Sequence, residues 1–409
     1  MRRGGGRAAR SDDVRLRNRA ALIAALREDG PRSRTALAAA TGLSAATVSA
    51  IGGALLEEGL LAPVAAEAQG GRGRPQAPLG LNPARATAAA IVVSNRAVDT
   101  VIVDYSGSEI GRSWRGALPR DAGPAALSAA LAAEIDAARA GARRDGAPPI
   151  AALTIAWQGV ADAEARRVVW SPIVDARGVD FAGPLAARCG GRVAVMNDAA
   201  MVAEAFLRRG AKRSGAPTDL ALLLVGPGVG MGLVLDGAAA AGRASSGMEF
   251  GHMTHVPGGA PCACGRLGCV EAYAADYAIL RGAGRDERDD PLAVAQAARD
   301  GDPAARAAFA AAGEALGYGL GRLFALLGPL PVALAGSGAA AADLLRPAMV
   351  AALEQALAPE LSGPLELSVA GDATALALEG AAAHALRRLD AALAAGAEIA
   401  GAPWREAVA

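Results

Sequence analysis

The sequence predicts an α/β protein in two parts: an N-terminal winged helix-turn-helix and a larger, two-lobed α/β domain. Three observations lead there. Up to residue 82, three short helical stretches separated by turn signals precede two short apolar runs around a Gly/Arg-rich segment. From Ala88 onward, β-rich hairpins alternate with helices, the pattern of packed sheet and helix layers. A chain of 409 residues also exceeds what a single core ordinarily holds.

In the first part, residues 18–29 carry Leu22, Ile23 and Leu26 at helical spacing, and Gly30-Pro31 ends the run. Ser33 is placed to cap a short helix containing Leu37, and Thr41-Gly42 makes the turn. Ser44 caps a third helix with Val48, Ile51, Leu55 and Leu56 on one face. A short helix, a Gly-containing turn and a second helix opening on small polar residues form a helix-turn-helix pattern. Such a helix presents Ser44, Ala45, Thr47 and Ser49 to a major groove. Two short strands follow, around Leu61 to Val64 and Leu79 to Leu81. The wing between them bears Arg72 and Arg74, suited to phosphates or a narrow minor groove. No Arg, Lys, Asn or Gln lies between Ser44 and Glu57, so bidentate base readout cannot come from that helix; Arg34 and the wing carry the expected contacts. A helical adaptor with an Arg-rich solvated loop is the competing explanation.

Charge is distributed to match. The net charge is zero, yet residues 1–85 hold thirteen Arg against seven acids, a surplus of six that the remainder balances. A basic N-terminus ahead of an acidic body is the footprint of a nucleic-acid-binding module. No signal-peptide core and no spanning helix are expected, because Gly328, Pro329, Pro331 and Gly336 break the most apolar stretch. Three of the four cysteines cluster, which favours a metal site in a reducing compartment over a disulfide framework.

In the second part, strands are expected at 89–94, 98–104, 109–114, 150–156, 193–196, 220–225, 231–235 and 332–335. Helices are expected at 124–142 and from Asp302-Pro303 toward Leu327. The boundaries read as a flexible basic tail over 1–17, a winged helix over 18–82 and the large domain over 83–409. Its first lobe covers about 88–198 plus a C-terminal helix, and its second about 199–380.

Gly251-His252 followed by Cys262-Ala263-Cys264-Gly265-Arg266-Leu267-Gly268-Cys269-Val270-Glu271 resembles the signature of ROK proteins (repressors, open reading frames and sugar kinases). Met196-Asn197-Asp198-Ala199 and Met248-Glu249-Phe250 match two further motifs in order and spacing. With the winged helix ahead, the resemblance covers almost the whole chain and points to the NagC/Mlc/XylR-type regulators. It implies an actin-like ATPase fold, two lobes of RNase H type around a cleft. It also implies that Asn197, Asp198, Glu249, His252 and Glu271 bind the hydroxyls of a sugar, with Asp198 the general base in a kinase.

The cysteine cluster has its own physics. Three thiolates within eight residues, with glycines at Gly265 and Gly268, can wrap one tetrahedral ion. His252 supplies the fourth ligand, which points to structural Zn2+. Free core cysteines are the competing explanation; Cys189, alone, reads as an ordinary buried residue, and His255 and His384 as structural.

Three departures from the family pattern bear on activity. The first phosphate turn reads Ser94-Asn95-Arg96-Ala97, without the family's Asp, glycines and threonine. The second reads Gly226-Pro227-Gly228-Val229-Gly230, with Pro227 where kinases keep the threonine. Ile173 stands where an Asn often contacts the sugar. The expectation is therefore a cytoplasmic DNA-binding repressor of carbohydrate metabolism with a zinc-supported sugar sensor. It would not be an enzyme, would make no membrane contact, and would assemble as a homodimer or homotetramer on double-stranded operator DNA. A sugar kinase with an appended DNA-binding domain stays open, as does a regulator signalled by a protein partner.

Overall fold

The computed structural model describes residues 11–65, 77–142, 146–211, 218–240, 247–361 and 363–399. The N-terminal module contains α1 (Ser11–Asp29), α2 (Arg34–Thr41) and α3 (Ala45–Glu57). The Ser33 hydroxyl accepts from Ala36 N at 3.2 Å and the Ser44 hydroxyl from Thr47 N at 3.1 Å, so both serines cap as the sequence implies. Gly42, at φ 68°, turns the chain, and α2 and α3 meet at 114°. Leu22, Ile23, Leu37, Val48 and Leu55 fill the core between them. Strands β1 (Leu61–Pro63) and β2 (Leu79–Leu81) pair antiparallel at the base of the wing, with Leu61 opposite Leu81. Its tip, including Arg72 and Arg74, lies outside the described residues.

One boundary differs from the sequence reading. Helix α1 starts at Ser11, so part of the expected flexible tail is helical. Asp13 sits in the first turn, at the positive end of the helix dipole, and precedes Arg17 by one turn.

The first lobe is a five-stranded sheet of β3 (Thr87–Val93), β4 (Ala97–Asp104), β5 (Glu109–Gly116), β6 (Ile150–Trp157) and, after an excursion, β10 (Val193–Asn197), with α4 (Pro124–Ala140) packed on β4 and β5. Its strand order is β10-β6-β3-β4-β5. The excursion holds a small sheet of β7 (Val160–Ala161), β8 (Arg167–Trp170) and β9 (Val179–Asp180), followed by α5 (Ala182–Ala186). Strands of two to four residues carry no period, which is why the sequence did not reveal them.

Helix α6 (Asp198–Ala211) leads to the second lobe, whose sheet holds β11 (Leu220–Val225), β12 (Val229–Leu235), β13 (Ala238–Ala239), β14 (Val332–Gly336) and β15 (Leu367–Val369) in the order β13-β12-β11-β14-β15. Both sheets thus have the same plan: three consecutive antiparallel strands, then two parallel ones. This duplicated α/β plan is the actin-like, RNase H-type architecture. Between β13 and β14 come α7 (Glu271–Ala274), α8 (Asp276–Gly282), α9 (Pro291–Asp300) and α10 (Pro303–Leu327). Helix α10 opens on Asp302, whose carboxylate caps Ala304 N and Ala305 N, with Pro303 at its first position. Then follow α11 (Ser337–Ala340), α12 (Ala342–Ala356) and α13 (Ala373–Ala394).

Helix α13 returns to the first lobe, lying on β3, β4 and β6 and against α6. Its buried leucines, Leu376, Leu386, Leu389 and Leu393, belong to the same apolar core as Leu22 and Leu55 of the N-terminal module. Arg19 and Arg27 of α1 complete this joint. Arg27 grips Asp390 with two bonds of 2.9 Å, donates to the Tyr105 carbonyl at 2.6 Å and stacks 4.9 Å above the Tyr105 ring. Arg19 grips Glu58 with two bonds of 2.6 Å and donates to the carbonyls of Leu393 and Ala394, satisfying the C-terminus of α13. Among the described residues no single helix is long and apolar enough to cross a membrane.

Candidate functional site

Between the lobes lies a cavity of about 450 Å³, within the range of small-molecule sites. Strand ends and helix starts build it. Strand β10 ends on Asn197 and α6 begins on Asp198; the β3–β4 turn contributes Asn95 and Arg96; β6 hands over to Gln158 and Gly159. The second lobe contributes Glu249, His252, Glu271, Asp276 and the glycine turn 226–230, and α13 contributes its first turn. All five residues that the resemblance assigned to a sugar line this cavity.

Their commitments differ. The Asn197 amide donates to Gly159 O at 3.0 Å and its carbonyl accepts from Ala200 N at 3.2 Å, so it also fastens the entry to α6. Glu271 accepts from Val229 N at 3.1 Å and faces the Cys262 sulfur at 3.4 Å, tying the glycine turn to the cysteine cluster. Asp198 accepts from Ala199 N at 2.9 Å. Burial pushes its carboxyl from 3.8 up to about 7; the Ala199 bond pulls it back and the charge of Glu249 adds to the rise. A carboxyl at that value in a cleft is matched to proton transfer near neutral pH.

The shift has a measurable consequence. Between pH 3.8 and about 7 the folded state keeps a proton that the unfolded state has released, so stability declines as pH rises through that window. Asp198→Asn cannot ionise and can still accept from Ala199 N. Its stability should therefore match wild type near pH 4 and exceed it above neutrality by on the order of 4 kcal/mol, seen as a higher melting temperature. Equal melting curves at pH 8 would refute the buried-charge account.

Ile173 does not line the cleft: its side chain packs against the first-lobe core while the neighbouring Pro172 faces the cavity. The first phosphate turn is closed on itself, Ser94 Oγ accepting from Arg96 N at 3.3 Å and Ala97 N at 3.2 Å. In the second turn Gly226 N bonds Gly228 O and Val229 N bonds Glu271. Arg96 reaches the cleft, where its charge and the Ser337 hydroxyl at 2.5 Å oppose the burial that raises the Asp276 carboxyl. Gln158, Trp170, Arg96 and Asp276 were not singled out as ligand contacts from the sequence. The one available signal was their position in turns at strand ends, where α/β sheets place ligands.

His252, Cys262, Cys264 and Cys269 converge beside the cleft, all four ligand atoms lying within 4.8 Å of one another. The Cys264 and Cys269 sulfurs are 3.8 Å apart, as are His252 Nδ1 and Cys262 Sγ. A tetrahedral zinc with Zn–S bonds of about 2.3 Å sets two thiolates about 3.8 Å apart, so the residues fit that ion. Gly268 makes the knuckle possible: at φ 79°, a Cβ there would lie 1.7 Å from the Val256 carbonyl. His252 presents Nδ1 to the cysteines and its ring edge to Trp170, 5.7 Å between centroids. Cys189 lies apart in the first-lobe core, its thiol pushed up to about 12 by burial. His384 meets Thr154 Oγ1 at 3.0 Å, and the His255 ring packs on Tyr273 and Tyr318.

On the N-terminal module, Ser44, Ala45 and Ser49 are exposed along the start of α3, with Thr47 and Arg34 half-buried. The Ser44 and Thr47 hydroxyls bond each other at 2.8 Å, so both are partly spent on the cap.

Comparisons with known proteins bear on this site. A glucokinase of Streptomyces coelicolor is 29% identical over 164 residues, 40% of this chain and 49% of that protein. A kanosamine kinase of Amycolatopsis mediterranei is 30% identical over 195 residues, 47% of this chain and 63% of that protein. The chain thus matches about half of the first and under two thirds of the second. A solved ROK family transcriptional regulator, described as a homolog of the E. coli MLC protein, superposes with a TM-score of 0.76 at 22% identity, over 93% of this chain and 98% of that one. At that identity the likeness is one of fold.

The two kinases overturn the expectation that the chain is not an enzyme. Phosphoryl transfer rests on positioning by backbone and charge, so the altered turn residues alone do not exclude it. The match to the ROK family extends over residues 99–388, and the chain belongs to that family.

Proposed function

We propose that the protein is a DNA-binding transcriptional repressor of carbohydrate metabolism, with a sugar as effector in the interlobe cleft. One observation carries the reading. Helix α13 begins at the cleft, lined by Asp372, Ala373, Thr374 and Ala377, and ends in the buried joint with the helix-turn-helix. Arg19 holds both the last carbonyls of α13 and Glu58, the residue after α3. A sugar that binds one lobe arrangement better than another shifts α13, and with it the setting of α3. The interdomain turn adds a second tie, Asn82 donating to Gly59 O at 2.9 Å.

In this reading Asp198, Glu249, His252, Glu271 and Asn197 recognise hydroxyls, the carboxylates accepting, the amide doing both and the metal-bound imidazole donating from its other ring nitrogen. Zinc on His252, Cys262, Cys264 and Cys269 has no open position and serves to pin His252 and Glu271. Arg34, Arg72 and Arg74 take DNA phosphates. Ser44, Ala45, Thr47 and Ser49 make close, shape-dependent contact in the groove. Two copies on a palindromic operator follow from the two-fold symmetry of such sites. The likeness of fold to a solved ROK transcriptional regulator along 93% of the chain supports the whole-chain assignment.

The test is a mobility shift with the protein's own promoter at low salt, followed by titration of monosaccharides. Retarded DNA released by a sugar is the expected result. No retardation at any low ionic strength sinks the reading. The raised Asp198 carboxyl favours a second, compatible activity, phosphorylation of the bound sugar. Sugar-dependent ATP hydrolysis that disappears in Asp198→Asn would establish it, and absence of hydrolysis with a sugar shown to bind would exclude it.

A further inference from the structure

Gln158 follows the last residue of β6, where the chain leaves the first-lobe sheet for the cleft. Its backbone is held on both sides. N–H donates to Val93 O at 3.2 Å, and the carbonyl accepts from Ser171 Oγ at 2.7 Å. Ser171 Oγ in turn accepts from Trp157 Nε1 at 3.0 Å and Ile173 N at 3.2 Å. A long polar side chain therefore springs from a rigid base. It is half-buried and lines the cavity, yet its amide has no hydrogen-bond partner among the described residues. Its polar end is thus available to a ligand that enters the cleft.

The amide points to the other lobe. A Cβ placed on Gly228 would lie 3.9 Å from Gln158 Nε2 and 2.9 Å from Glu271 Oε2, so the two groups converge on one spot that only a glycine leaves open. Of the neighbouring polar groups, Asn197 is bonded to Gly159 and Ala200, and Glu271 to Val229. Ile173 is turned into the core.

We infer that Gln158 contacts the sugar directly and sets which hydroxyl pattern is accepted, its amide donating to and accepting from a single ring substituent against Glu271. This rests on the cleft being the sugar site. A neutral aldose or its acylated amine fits, because both offer a donor and an acceptor on one substituent.

The full-length protein is titrated calorimetrically with D-glucose, D-xylose and N-acetyl-D-glucosamine, then with monodeoxy derivatives of whichever binds. Gln158→Ala should bind the parent sugar about tenfold more weakly, the loss of one to two neutral hydrogen bonds. Wild type should reject one deoxy derivative by a similar factor, and Gln158→Ala should no longer distinguish it, a coupling that a purely structural role would not produce. Gln158→Glu, which keeps the size but loses the donor beside Glu271, should bind more weakly still. If sugar binds and every deoxy ratio is the same in wild type and Gln158→Ala, the inference fails while the sugar site stands. If wild type binds none of the sugars, the sugar site itself fails and the inference with it.

Discussion

Stripping the metal with a chelator at neutral pH should lower the melting temperature of the second lobe and weaken sugar binding together. His252, Cys262, Cys264 and Cys269 hold their ligand atoms within 4.8 Å, and the loop joining them has little apolar packing of its own beyond Ala260, Ala272 and Tyr273. A metal bound only by the folded state contributes RT ln(1 + [L]/Kd), about 4 kcal/mol at a thousandfold excess over Kd. Glu271 is two residues beyond Cys269 and bonds Val229 N in the glycine turn, so loosening the knuckle reaches the cleft directly. Cys264→Ala should behave like chelated wild type, contain less than stoichiometric zinc by atomic emission and show no further response to chelator. Wild-type zinc content in that variant, or an unchanged melting curve after chelation, would refute the four-ligand site.

Arg27→Ala should cost about 3–5 kcal/mol, the range for removing one partner of a buried ion pair. The side chains of Arg27 and Asp390 are only 5% and 11% exposed, so truncation leaves an uncompensated carboxylate against an apolar core. The Tyr105 carbonyl loses a donor of 2.6 Å and the Tyr105 ring its stacked cation. The double variant Arg27→Ala/Asp390→Leu should recover much of the loss, because the penalty lies in the orphaned charge more than in the missing contact. Additive losses in the cycle would show that the two residues do not act as a pair. The same variant reports on coupling: with the joint broken, operator affinity should respond less to sugar even where sugar still binds.

Much of the molecule was legible in the chain because its signals are local. Ser33, Gly42 and Ser44 punctuate the helix-turn-helix within twelve residues, and each acts as expected. The cysteine spacing with Gly265 and Gly268 specifies a knuckle whose ligands need only a short loop to meet. Strand runs such as 150–156 and 220–225 announce themselves by apolar continuity, since they are buried on both faces. The catalytic question was misjudged because it was drawn from two altered turns and the attached N-terminal module, whereas the likeness to sugar kinases extends over 164 to 195 residues.

The sequence by itself determined the three N-terminal helices, the hairpins, the His/Cys cluster that could hold a metal ion and five residues of the cleft lining, because short-range spacing and side-chain chemistry suffice for each. Only the tertiary structure decided that two sheets repeat one plan, that Asn197 and Glu271 also brace the cleft and that Gln158 faces Glu271 across Gly228. It alone joined Arg19 and Arg27 to a helix more than three hundred residues away. Those contacts depend on where long segments return in space. No local period encodes that return; it follows from burying the apolar faces of α6 and α13 between the sheets.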